Sequence, residues 1–135
     1  MIRQIDNPLL LNRILDLAKN IPDTNIIALE KMLIEALTSK KAKIYIAEKN
    51  NEVVGFIYGS IETIDGNDCV FIQSTYIKPD NEERNTGFEF LNRIKSFAKD
   101  NDVRNIYILT KRNAKAFERR YHFEYAYTML KQEVI

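Results

Sequence analysis

Between a strand-like run that stops at Pro79 and a helix-forming stretch beyond it, the chain carries Arg84, Asn85, Thr86 and Gly87. A loop that leads into a helix offers unpaired backbone N–H groups at the positive end of the helix dipole, which suits a doubly charged diphosphate. Glycine at 87 lets the backbone come close to such a ligand. Arg84 adds a charge-assisted donor, and Lys78 and Arg112 are further cations that the fold can bring near. Other chemistries are poorly supplied. The chain has one histidine and one cysteine, so a zinc site or a Cys-His nucleophile would require His122 and Cys69 to meet, and no metal site is expected. No Gly-Lys-Ser/Thr phosphate loop occurs. The basic residues Lys111, Arg112, Lys115, Arg119 and Arg120 read either as a solvated helix face or as a receiver of phosphates. Tyr45, Tyr58 and Tyr107 read as ordinary strand residues.

The elements that must position that loop follow from hydrophobic spacing. Asn7 can cap a helix with Pro8 at its first position, placing Leu10, Ile14, Leu17 and Ile21 on one face. After the break at Pro22, Ile26, Leu29, Leu33 and Leu37 give a second helix to about residue 39. Three strand-like runs follow at 43–48, 53–64 and 69–77, separated by Lys49-Asn50-Asn51 and Asp65-Gly66-Asn67, and such short connections imply an antiparallel meander. A helix over 86–99, a strand over 105–110, a short helix over 113–120 and a β-rich tail over 123–134 complete the chain.

The whole is read as one domain over residues 1–135, large enough at 45% hydrophobic content for one core. Twenty basic and nineteen acidic residues leave a net charge of +1, which gives no bulk attraction to nucleic acid or to an anionic membrane. No segment approaches the ~20 apolar residues of a bilayer span. The lone cysteine fits a reducing compartment, and a cytoplasmic location is the expectation.

This order of elements resembles the GNAT superfamily of acyl-CoA-dependent N-acyltransferases over nearly the whole chain. Three local matches sit where that family places them. Tyr76-Ile77-Lys78-Pro79 is similar to the ending of the family's fourth strand, whose backbone pairs with the pantetheine arm of CoA. Arg84-Asn85-Thr86-Gly87 is similar to the opening of the family's pyrophosphate loop, and the segment from Phe117 to Phe123 is similar to the stretch joining its last helix to its last strands.

The resemblance implies an α+β fold with a central mixed, mostly antiparallel sheet flanked by helices. It also implies acetyl-CoA as co-substrate and a small-molecule or peptide amine as acceptor, with a homodimer as the self-association to test. The residues it points to for the cofactor are Tyr76, Ile77, Lys78, Arg84, Asn85, Thr86, Gly87, Phe88 and Asn113. Glu118 stands at the tyrosine that protonates the departing thiolate in many members, a role open to a glutamate whose pKa is raised by burial, and Tyr121 is a second proton-donor candidate. Gln73 falls where many members carry a basic glutamate. An amide cannot accept an ammonium proton, so Glu62 on the neighbouring run, or a water chain, is the substitute base. Glu89 replaces a small residue of the loop, and His122 replaces a glycine. These departures leave a second expectation standing, a catalytically degenerate member that binds a ligand or a protein partner without turnover.

Overall fold

The structure, a computed structural model, describes residues 1–79, 84–110 and 114–134. Its elements are β1 (Ile2–Gln4), a 3-10 turn at Pro8–Leu10, α1 (Leu11–Ala18), α2 (Ile26–Leu37), β2 (Ala42–Lys49), β3 (Glu52–Ile64), β4 (Asn67–Ile77), α3 (Arg84–Asp100), β5 (Ile106–Ile108) and α4 (Ala114–Tyr121). The strands form one sheet in the order β1-β2-β3-β4-β5. The first three pairings are antiparallel and β4 pairs β5 in parallel, so the expected mixed, mostly antiparallel α+β sheet is present.

Turn chemistry sets the meander. Asn50 and Asn51 at φ of 52° and 62°, and Asp65 and Gly66 at 51° and 78°, occupy the left-handed region that tight two-residue hairpins require. Asparagine, aspartate and glycine are the residues that accept it at least cost. Alternation then divides the sheet between two cores. On one face α1 and α2 bury Ile14 and Leu33 against Ile44, Ile46 and Phe56. On the other, α3 buries Phe90, Ile94 and Phe97 against Ile57, Val70 and Ile72.

Two helix starts carry asparagine caps. The Leu9 N–H donates to the Asn7 side chain at 3.0 Å, but the turn that follows is 3-10 and the α-helix begins only at Leu11. The Ala28 N–H donates to the Asn25 side chain at 3.1 Å, which explains why α2 starts where it does.

The tail corrects the sequence reading. Residues 123–134 form no strand, and Tyr125, Tyr127, Met129 and Leu130 are exposed, so β-prone composition without a hydrogen-bonded neighbour does not make a strand here. Just before it, His122 follows the last residue of α4, and its φ of 59° is the left-handed conformation that the position after a helix usually gives to glycine. The imidazole is solvent-exposed, and the position asks only for a backbone turn. His122→Gly is therefore expected to raise unfolding stability by about 0.5–1 kcal/mol, the left-handed penalty less the entropy that glycine adds to the unfolded chain. A thermal melt would show it.

Candidate active site

The sheet opens at one place. β4 pairs β5 only through Val70, Phe71 and Ile72, which face Ile106, Tyr107 and Ile108. From Gln73 to Ile77 β4 continues without β5 beside it, so among the described residues its backbone on that side has no strand partner. The register with β3 also slips here, because Tyr58 faces Ser74 while Gly59 faces Ile72. Gln73 is thus the extra residue of a β-bulge, which re-aims its side chain at the point where β4 and β5 part.

Beneath this opening, on the α3 face, lies a cavity of about 260 Å3. Its floor is Ile57, Ile72, Thr75, Tyr76 and Ile77 of β3 and β4, and α3 supplies Gly87, Phe90 and Leu91. Phe117, Arg120 and Tyr121 of α4 close the far side. The cavity is therefore a mostly apolar trough with an open strand edge along it, the first turn of a helix at one end and a guanidinium on its rim. Such a trough fits a long apolar arm carrying amide groups and ending in an anion.

Of the residues singled out for the cofactor, Tyr76, Ile77 and Gly87 line this cavity. Phe88 packs edge-on against Tyr121, with ring centres 5.0 Å apart. The Lys78 N–H is committed to the Val54 carbonyl at 2.8 Å. Asn85 and Thr86 line a separate polar groove with Met1, Lys49, Val54 and Glu89. Asn113 and the side chain of Arg84 lie outside the described residues. Arg120, read in sequence as part of a basic run that is either a solvated face or a receiver of phosphates, lies at the cavity.

Glu89 shares the groove of Asn85 and Thr86, away from Gly87. Its charge therefore lies on a different side of α3 from the trough, where it is exposed and screened by salt. Glu89→Gln is expected to change the affinity for CoA by no more than about two-fold in physiological salt. Isothermal calorimetry of the two proteins measures it.

The two proton-donor candidates are separated. Glu118 is solvent-exposed, without the burial that would turn a glutamate into a useful acid. Tyr121 is half-buried, and its hydroxyl rests against Gly87.

A polar cluster occupies the other face of the same opening. The Ser60 hydroxyl donates to Glu62 Oε1 at 2.9 Å, and Gln73 Nε2 donates to Ser60 Oγ at 2.9 Å and reaches Glu62 Oε1 at 3.4 Å. Ser60 is buried and Glu62 is exposed, so the carboxylate is anchored from below and open to solvent above. Burial first, and then the Glu62 charge, push the neighbouring Tyr58 phenol above its ordinary value, which keeps it a neutral donor. Cys69 is buried, and burial followed by the charges of Glu62 and Asp68 raises its thiol, so it is not a nucleophile. No cluster of metal-ligating side chains occurs among the described residues.

The fold that carries this trough and the Glu62 cluster has counterparts among solved structures. The chain superposes on the aminoglycoside 6'-N-acetyltransferase AAC(6')-IG from Acinetobacter haemolyticus with a TM-score of 0.84 at 14% identity, covering 100% of this chain and 98% of that one. It matches AAC(6')-Iy, solved with a bisubstrate analogue of CoA and acetylneamine, with a TM-score of 0.82 at 17% identity over 100% and 98% of the two chains. A predicted acetyltransferase from Clostridium acetobutylicum, solved with acetyl-CoA, gives 0.79 at 14% identity over 98% and 96%. No curated protein matches the sequence. At such identities the likeness shows the fold alone, but the family model described as acetyltransferase (GNAT) family matches residues 10–123, and the chain therefore belongs to that family.

Proposed function

We propose that the protein is an N-acetyltransferase that moves an acetyl group from acetyl-CoA to an amine. The observation that carries this reading is the open edge of β4 from Gln73 to Ile77, bordered on one face by the apolar trough and on the other by the Glu62 cluster. The trough would take the pantetheine arm against Tyr76 and Ile77 and bring the diphosphate to Gly87 and Arg120. The thioester supplies an activated acyl carbon. Glu62, held by Ser60 and Gln73, would accept the ammonium proton of the acceptor, freeing its nitrogen to attack that carbon. N–H groups of the β4 edge, which has no strand partner among the described residues, would polarise the carbonyl. As the C–N bond forms and the C–S bond breaks, the electron pair leaves on sulfur; the nitrogen gives up its second proton to water as it becomes an amide, and water returns a proton to the thiolate, since Glu118 lies in solvent.

The acceptor is an amine on a small molecule or a peptide. The aminoglycosides acted on by the structural neighbours make a first panel, because a carboxylate at the opening favours a cationic acceptor. A thermal-shift titration with acetyl-CoA, followed by thiol release with the panel, tests the proposal. Binding raises the apparent melting temperature by mass action. No shift at millimolar acetyl-CoA would sink the reading. Binding without thiol release from any amine would support the second reading, a ligand-binding member without turnover, which the exposed Glu118 and the amide at Gln73 favour.

A further inference from the structure

The trough is not open along its whole length. Tyr121 stands at the end where α3 begins, and its ring lies so close to Gly87 that a Cβ placed on that residue would be 2.7 Å from Cζ and closer still to the hydroxyl. Phe88 and Phe117 hold the ring from the sides, with ring centres 5.0 Å and 6.0 Å away. The missing side chain of Gly87 is thus filled by a phenol, and the phenol takes the space beside the first turn of α3 that an anionic ligand needs.

We propose that Tyr121 is a displaceable plug of the cofactor trough, seated on Gly87 in the free protein and pushed aside when acyl-CoA binds. The inference rests on the acetyltransferase reading of the same trough. Two features let the plug move. The ring is half-buried, and the exposed Arg120 beside it in sequence and the exposed Phe88 against it leave it an edge open to solvent by which it can leave the trough. Tyr121 is also the last residue of α4, and the chain turns away at His122, so no further helical turn confines the ring from its C-terminal side. Seated, the ring covers apolar surface of Phe117 and Phe88. Displaced, it exposes that surface until the ligand replaces it, so the plug sets a threshold for ligands that do not fill the trough. The apparent affinity is the intrinsic affinity scaled by the open fraction.

The test is stopped-flow association of a fluorescent CoA thioether with the full chain and two variants. Tyr121→Leu removes the ring and should associate several-fold faster, with a lower Kd. Tyr121→Phe separates ring from hydroxyl: association as slow as in the wild type assigns the effect to the ring, whereas an equally fast Phe variant overturns the plug. In the wild type the observed rate should level off as ligand rises, because opening becomes limiting, and that plateau should vanish with Leu. Should the Leu variant not fold, Tyr121→Met serves in its place. Wild-type binding with no faster association in Leu or Met overturns the plug and leaves the acetyltransferase reading intact. Failure of the wild type to bind overturns both.

Discussion

Gly87→Val should weaken CoA binding at least about 100-fold, equivalent to about 3 kcal/mol, while the protein keeps its fold. The argument separates the two reasons a glycine is kept. Gly87 sits in α3 without the left-handed φ that glycine alone tolerates, so its backbone would accept valine, whose helix propensity is no worse than that of glycine. What valine cannot have is room. Its side chain would meet the Tyr121 ring, the end of a side chain able to swing toward solvent, and the collision is relieved there and not in the core. The valine then fills the space beside the first helical turn that the diphosphate would use, and ligand and methyl groups exclude each other. Calorimetry with CoA and a thermal melt together decide the matter. Full affinity in Gly87→Val would move the anion site elsewhere, and a collapsed melting temperature would show that Gly87 serves packing instead.

The sequence carried those features that depend on neighbouring residues. The hairpins were legible because Asn50-Asn51 and Asp65-Gly66 are turn residues between alternating runs, and β4 and α3 fall within two or three residues of the spans read from spacing. Features that depend on distant partners were not legible. The bulge at Gln73 arises from the register between β3 and β4, which no local pattern states, and it is the bulge that lets an amide on β4 meet Ser60 and Glu62 on β3. Helical spacing alone did not reveal which side of α3 Gly87 and Glu89 would each face, because the facing elements, α4 and the N-terminal strand, lie far away in sequence. The tail failed for the converse reason. Its aromatic and branched residues promise a strand, but a strand is a pairing, and none of the described residues pairs with it.

The larger catalytic effect is expected at Glu62. If its carboxylate takes the ammonium proton, Glu62→Gln should lower kcat about 100-fold or more while KM for acetyl-CoA stays within a small factor, because the cofactor trough lies on the other face of the sheet. A loss of that size alone would not show that the carboxylate acts as a base, since the amide also alters a hydrogen-bonded cluster. The neighbouring amide supplies the control. Gln73 Nε2 reaches Glu62 Oε1 at 3.4 Å and Ser60 Oγ at 2.9 Å, so exchanging the two groups in Glu62→Gln/Gln73→Glu keeps one amide and one carboxylate within the same cluster. Ser60 can then donate to whichever side chain carries the carboxylate, because its hydroxyl rotates. The carboxylate moves only across one strand pair, to a residue that the bulge already turns toward the opening. The exchanged protein should therefore recover at least about a tenth of the wild-type kcat, as expected when a general base is displaced but still within reach of the proton. Recovery would identify the charge as the requirement and the cluster as its holder. If the single variant keeps full activity, the acceptor loses its proton to water and Glu62 has no part in the step. If the exchange is as slow as the single variant, position 62 matters for something other than its proton affinity.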